Sequence, residues 1–594
     1  MVVNVDSSDV VSEVVPSVGM LPLSDRMKGW NVRVSENADW GAYYKSQAIC
    51  ETDAEFELMK TTFQTPLPVA IRVNASAPFS KSVDERLKRL SDLEDSRPNK
   101  CQRLSWSQDG QAWQWSDISR VHVRKDPSLV ELKKWLVDHE SIGTLTRQEA
   151  VSMIPPLVLS LSPGDLVLDM CGAPGSKTCQ MIEQIAGEGA VVANDVEYKR
   201  ANMLSHQVQR LSSPANVITN VDACLFPTIP GGFNKILCDV PCTGDGTIRK
   251  AQDIWRRWTI SEGLNIHNRQ LQILLRGLQL LAPGGDLVYS TCSLNPIENE
   301  AVVAAALAKC PDVSLIPIPQ MFGLEYRKAL TKWTVWDDKT KTIQVSTDGS
   351  GKLRPTMYPP TDPQILSQLE NGCRFLPHLM NSGGFFVAKF QKKISAKNII
   401  TKQPLADTPV FNMIDDALYA NLVSFYSLDT VKVTQGQLFK RTDCERHVYF
   451  VSVAASRIVA SCPANLKVVS VGVRAFAEIG KWHSPCPYRM TQEGIQALSF
   501  SANPARAGFV DLETFAALLE TREVKTHQVS FPHITTEEVE GEDKGPIVRG
   551  GGVVYMETAL GETIGLAVMI SPNVVQTYAD KLHCGWVSNI VKKE

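Results

Sequence analysis

Between residues 150 and 310, apolar stretches of strand length alternate with amphipathic stretches of helix length. This alternation restricts the fold more than any other feature of the chain. The predicted strands are "LVLDM" (166–170), "AVVAND" (190–195), "NVITNVDA" (216–223), "KILCDV" (235–240) and "GDLVYSTC" (285–292). Helical stretches at 176–186, 197–211 and 262–281 lie between them. Neighbouring parallel strands need a long crossover, and a helix at each crossover covers a face of the sheet. The expected core is therefore α/β, with a Rossmann-like parallel sheet. "MNSGGFFVAKFQK" (380–392) reads as a late strand added antiparallel to that sheet.

The rest of the chain surrounds this core. At 594 residues it is too long for one hydrophobic centre, so several domains are expected. Residues 1–35 read as an acidic, disordered leader and not as a signal peptide, because no apolar h-region follows a charged start. Residues 36–145 mix helix and strand, with "PLPVAIRVN" (66–74) as a strand and "DPSLVELKKWLVDHE" (126–140) as a helix. The catalytic stretch is placed at 146–392, a linker at 393–409, and two β-rich units at 410–483 and 484–594. The second unit carries "VRGGGVVYMETALGETIGLAVMI". Charged residues make up 21% and hydrophobic residues 43%, an ordinary globular composition. The net charge is −3, so a nucleic-acid partner must meet a local basic patch. Fourteen scattered cysteines form no CxxC pair, which argues against a zinc ribbon; no metal is expected. No apolar run has transmembrane length, and a reducing intracellular setting is expected.

"LDMCGAPGSKT" (168–178) is a strand, a glycine turn and the start of a helix. A phosphate-binding P-loop needs glycine where Ser176 and Cys171 stand, so that motif fails. The GxGxxG pattern also fails, because Gly172 is followed by Ala173, Pro174 and Gly175. The turn still lets backbone approach a ligand at the carboxyl edge of the sheet. Asp195 ends the next strand, where an acid can hold a ribose diol, and Asp222 ends the third, where it can meet an adenine amino group. Acids at successive strand ends fit S-adenosylmethionine; the alternative is that each caps a following helix.

These stretches resemble the ordered motifs of the NOP/Sun family of RNA cytosine-5 methyltransferases. The resemblance is carried by "VLDMCGAPGSKT", "ANDVEYKR", "KILCDVPCTGDGT" and "VYSTCSLNPIENEAVV". "RQEAVSMIPPL", "DGTIRK" and "STCSLNPIENE" look most like the eukaryotic tRNA-modifying branch. The resemblance implies a methyltransferase core that binds S-adenosylmethionine through Cys171, Gly172, Ala173, Pro174, Gly175, Ser176 and Lys177, with Asp195, Asp222 and Asp239. It implies an N-terminal RNA-binding region, pre-PUA-like and PUA-like units at the C-terminus, and a nuclear location, with the cytoplasm as the alternative. It also implies that Cys292 is the nucleophile and that Cys242 assists product release.

Cytosine C5 is a weak carbon nucleophile. A thiolate added to C6 makes the ring enamine-like and raises the reactivity of C5. Asp239, three residues before Cys242, is expected to face the N3 and amino edge of the base. Lys177 is the candidate cation beside the thiolate. Two alternatives remain at this point. Both cysteines can be buried structural thiols, or Cys242 can be the nucleophile, as in DNA enzymes with a Pro-Cys pair. Arg249, Lys250, Arg256 and Arg257, with Arg120, Arg124 and Lys125, are the candidate phosphate contacts on a flipped-out RNA target. Trp106, Trp113 and Trp115 can stack on bases or pack between domains. The expected partner is tRNA, with ribosomal or messenger RNA, or a non-catalytic RNA-binding scaffold, as alternatives.

Overall fold

The computed structural model describes residues 36–92, 100–107, 110–346, 351–395, 410–480, 484–498, 506–530, 550–571 and 573–591. The expected leader and residues 396–409 of the expected linker lie outside this set.

A ten-stranded sheet forms the centre. Its strands are β1 (Leu166–Asp169), β2 (Ala190–Asn194), β3 (Asn216–Thr219), β4 (Phe233–Asp239), β5 (Leu281–Thr291), β6 (Val313–Ile316), β7 (Arg327–Lys328), β8 (Cys373–Phe375), β9 (Phe385–Lys392) and β10 (Val468–Val471). Across the sheet the order is β7-β8-β9-β5-β4-β1-β2-β3-β10, with β6 pairing β9. Strands β3, β2, β1, β4 and β5 run parallel. β9 returns antiparallel beside β5, as the sequence leads one to expect. Helices α1 (Ser176–Gln184), α2 (Tyr198–Gln209), α3 (Ile260–Leu280) and α4 (Glu300–Lys309) follow β1, β2, β4 and β5.

Each parallel strand has an apolar centre because both faces are covered there. Val167, Val191, Ile218 and Leu237 pack with Met181 and Ile182 of α1 and Leu204 and Val208 of α2. Their neighbours Leu168, Val192, Val217 and Ile236 pack with Leu274 and Leu278 of α3 and Val302 and Val303 of α4. Alternate residues thus feed alternate layers, as the two-residue period of a strand requires.

The N-terminal region divides. Helices Ala38–Ser46 and Asp53–Phe63 put Trp40, Tyr43, Tyr44 and Phe63 into the catalytic core. The remainder forms an antiparallel sheet of Gln102–Arg103, Ala112–Ser119, Pro68–Val73 and Leu145–Arg147. That last strand runs across the boundary expected at residue 145. Trp106, Trp113 and Trp115 are at most 3% exposed, so these rings pack in the interior and are not free to stack on bases.

Two five-stranded sheets make up the C-terminal part. The first joins Phe411–Met413, Leu438–Arg441, His447–Phe450, Val473–Glu478 and Tyr488–Met490. It continues past the boundary expected at residue 483. The second is built on the hairpin of Gly550–Glu557 with Thr563–Ile570. β10 belongs to neither sheet: Val468, Ser470 and Val471 pair antiparallel with Thr219, Ile218 and Val217 of β3. Among the described residues, no helix is long and apolar enough to cross a membrane.

Candidate active site

The carboxyl ends of the parallel strands converge on one edge. β1 ends at Asp169, and the chain then turns through Gly172 and Gly175 into α1. Gly175 has φ +119°, a left-handed conformation that favours glycine. At Gly172 a Cβ would stand 2.9 Å from Thr178 Oγ1 and 3.1 Å from an Asp169 oxygen. The two glycines let this loop close over the strand end.

The acids around the turn have different surroundings. Asp169 accepts from Thr178 Oγ1 at 2.6 Å, while its Oδ1 is buried with no protein partner. Burial pushes its carboxyl up to about 7 against the pull of the Thr178 hydrogen bond. Asp195, 3% exposed, accepts from the Glu197 backbone N at 3.0 Å and lies 3.3 Å from Arg200. Asp222 lies beyond β3, three residues past its last residue, Thr219. There it caps a short helical turn by accepting from Cys224 N at 2.9 Å, and it pairs with Arg269 at 2.6 Å. The sequence placed Asp222 at the strand end; its capping role fits the alternative reading. The unpartnered buried oxygen of Asp169, the inward acid after β2 and the open glycine turn suit a cationic nucleoside rich in hydroxyls. S-adenosylmethionine fits this donor and acceptor set.

Asp239 closes β4 and faces two partners. It receives Lys177 Nζ at 2.8 Å and Ser290 Oγ at 2.7 Å. Lys177 Nζ also sits 5.1 Å from the centre of the Phe385 ring. Burial disfavours the Lys177 ammonium. The Asp239 charge and hydrogen bond, with a further contribution from Cys292, outweigh burial and raise its pKa.

The two cysteines meet. Cys292 follows β5 directly, Cys242 lies three residues beyond β4, and their sulfurs are 3.3 Å apart. Both are partly exposed and neither is in a disulfide. The hydrogen bond shared with Cys292, and then burial, push the Cys242 thiol well up; Glu298 and Asp239 push it further.

Two buried acids that the sequence analysis did not single out hold these loops. Asp245 accepts from Leu294 N at 2.8 Å and Trp258 Nε1 at 3.1 Å, and Tyr44 OH donates to it as well. Glu298, fully buried, accepts from Thr243 and Ser293, the residues after each cysteine. Gly246 N donates to Cys292 O at 2.9 Å. A buried ion pair lies beneath: Arg374 Nε donates to Glu300 at 2.5 Å, and Arg374 Nη1 donates to Leu294 O at 2.7 Å.

The basic candidates separate. Lys250, Arg256 and Arg257 are exposed beside the Cys242 loop; Arg120, Arg124 and Lys125 are exposed on the short helix Arg120–Lys125 of the N-terminal region. Arg257 is engaged with Asp253 at 3.3 Å. Arg249 is 3% exposed and must be removed from the phosphate candidates. Its guanidinium donates to Ser382 O at 2.8 Å, Pro66 O at 2.9 Å and Asn381 Oδ1 at 2.8 Å. It ties three loops together, and burial draws its pKa down to about 10.

A parallel sheet with a glycine turn and strand-end acids defines the nucleotide-binding core of a methyltransferase, here equipped with a thiol pair. Comparison with known proteins narrows the class. The model of the family described as 16S rRNA methyltransferase RsmB/F matches residues 156–391, and that of the NSUN2 Pre-PUA domain matches 409–501. The chain is 33% identical to a tRNA (cytosine(34)-C(5))-methyltransferase of Drosophila melanogaster over 83% of its own length and 78% of that protein. It is 34% identical to a multisite-specific tRNA:(cytosine-C(5))-methyltransferase of Saccharomyces cerevisiae, over 84% and 80%. A solved methyltransferase homologue from Pyrococcus horikoshii is 26% identical over 62% of this chain and 98% of its own, with a TM-score of 0.43. The chain belongs to the RsmB/F, or NOP/Sun, family of S-adenosylmethionine-dependent RNA cytosine-5 methyltransferases.

Proposed function

We propose that this enzyme methylates C5 of cytosine in tRNA, with Cys292 as nucleophile and Cys242 as the group that assists release. The tRNA substrate is supported by the names of its relatives in fly and yeast. The observation that carries the two-thiol chemistry is the 3.3 Å separation of the sulfurs at the ends of β4 and β5. Their surroundings differ in a way that supports the assignment. The Lys177 ammonium interacts with Cys292, whereas the Cys242 thiol is held up by Cys292 itself and by burial, with Glu298 and Asp239 adding to both.

Cys292 adds to C6 as the thiolate, and the C5–C6 electron pair becomes available at C5. Asp239, held by Lys177 and Ser290, faces the N3 and amino edge; transiently protonated, it gives its proton to N3 as the thiolate adds and takes it back when C5=C6 re-forms. S-adenosylmethionine supplies an electrophilic methyl group to C5. The C5 proton then leaves to water, its bonding pair re-forms C5=C6, and the C6–S pair departs with Cys292. Cys242 keeps its proton in the resting enzyme and can donate it to the departing sulfur 3.3 Å away. The ribose contact is assigned to Asp195 and phosphate contacts to Lys250, Arg256 and Arg257.

Mixing each variant with tRNA and cofactor, followed by a denaturing gel, tests the assignment. Cys242→Ala is expected to accumulate a denaturation-resistant protein–RNA adduct that the Cys242→Ala/Cys292→Ala double variant lacks. Cys292→Ala should form no adduct and no product. Accumulation in Cys292→Ala and not in Cys242→Ala reverses the roles.

A further inference from the structure

We propose that Glu298 is a positioning residue that sets the distance between the two thiols, and so places Cys242 for the release step. The inference rests on the two-thiol reaction proposed above.

Glu298 is fully buried, yet both its oxygens are used by the cysteine loops. Oε2 accepts from Thr243 N at 2.9 Å and from Gln270 Nε2 at 3.1 Å. Oε1 accepts from Thr243 Oγ1 at 2.6 Å and from Ser293 Oγ at 2.8 Å. Thr243 follows Cys242, and Ser293 follows Cys292. The two hydroxyls also lie 3.2 Å from each other. Gln270 Nε2 donates in addition to Pro241 O at 2.9 Å, so Cys242 is bracketed from both sides by one connected set of bonds.

Burying a carboxylate is costly unless donors surround it. Here the carboxylate spans two loops that β-sheet pairing alone does not join, because β4 and β5 both end before the cysteines. Transfer of a proton between two sulfurs depends steeply on their separation, and a misplacement of about 1 Å costs on the order of 100-fold. A carboxylate that takes three of its four hydrogen bonds from the residues just after the two thiols fixes that separation. Glutamine can replace it in shape: its oxygen can take the two N–H donors while its amide donates to the two hydroxyls, which accept as readily as they donate.

The test first reads the thiol spacing without RNA or cofactor. Diamide oxidises a close thiol pair to a disulfide: each thiol gives up a proton and an electron, and the diazene takes both pairs to become the hydrazine. The rate at which the Cys242–Cys292 bond forms, followed by peptide mapping, reports their approach. Glu298→Ala is expected to slow closure about tenfold or more, as loss of buried hydrogen bonds implies. Glu298→Gln should stay within about threefold of wild type. Val302→Ala, which opens a cavity in α4 without removing any of these hydrogen bonds, controls for general destabilisation and should not slow closure. With tRNA and cofactor, Glu298→Ala should accumulate the Cys292 adduct as Cys242→Ala does, and adding it to Cys242→Ala should change little further. If Glu298→Ala does not fold, Thr243→Val removes one of the four bonds and should slow closure about threefold. A closure rate within about twofold of wild type in the folded variant, or equal slowing by Val302→Ala, overturns the proposal. Because closure needs no substrate, it can succeed or fail independently of the reaction proposed above.

Discussion

Replacing Asp239 by asparagine probes the ion pair at the mouth of the site. The change keeps the side chain's size and leaves an oxygen to accept from Ser290, but it turns an amide toward Lys177. The pair stands at 2.8 Å, with the lysine side chain 14% and the aspartate 27% exposed. It is neither fully solvated nor dry, so a net contribution of about 1.5–3 kcal/mol applies, as for hydrogen bonds to charged groups. If the transition state needs this arrangement, the methyl-transfer rate falls about 10- to 100-fold. The pH dependence has a definite sign. In the wild type the Lys177 pKa is raised above its usual 10.5, so the pair's contribution is intact below that value and is lost only as pH rises through the raised one. Activity should therefore show no Lys177 titration between about pH 6 and 9. In Asp239→Asn, burial becomes the dominant influence and favours the neutral amine. The variant should lose further activity as pH rises toward 9, beyond its loss at pH 6. Single-turnover transfer of radiolabelled methyl to tRNA across this range measures both effects. A variant within about threefold of wild type, with a parallel pH profile, refutes a role for the pair.

Asp195→Ala should weaken S-adenosylmethionine binding by about 1.5–3 kcal/mol in calorimetry, and unchanged affinity in a folded protein removes it from the site. Arg256→Ala should lower the log–log salt slope of RNA binding by about 0.7–0.9, as loss of one phosphate contact does. Arg249→Ala should instead lower the thermal unfolding midpoint, because its hydrogen bonds are internal; a reduced salt slope at unchanged stability contradicts this.

The central sheet was legible because parallel strands covered on both faces have apolar centres and are separated by amphipathic helices. β1, β2, β4 and β5 lie within a few residues of their expected positions, and β9 has the expected direction. Ends were less legible. The third strand stops at Thr219, short of the expected 223, because the chain bends into a capped turn at Asp222. Cys242 and Cys292 stand out as small polar breaks after apolar runs. Glu298 was visible only as a letter within "NPIENE", since its function depends on Thr243, 55 positions earlier. Tyr44 carried no signal at all, because its partner Asp245 lies 201 residues away. Arg249 misled because a cation in a loop beside other cations looks solvated, while its burial arises from loops at 65–66 and 381–382. The expected divisions at 145 and 483 fall inside sheets, because strand pairing across a division leaves no mark in the local sequence.

The pairing of β10 with β3 sets the order in which the molecule can be completed during synthesis. Thr219 leaves the ribosome long before its partner Val468 exists. Translation at about 5–20 residues per second leaves the outer edge of β3 unpaired for roughly 12–50 s. Throughout that time the nascent sheet presents a row of free backbone donors and acceptors, the kind of edge that recruits foreign strands. The C-terminal half therefore acts on the catalytic half as a late-arriving seal. A chain cut before residue 468 would keep every residue of the thiol pair and still lack the strand that closes its sheet.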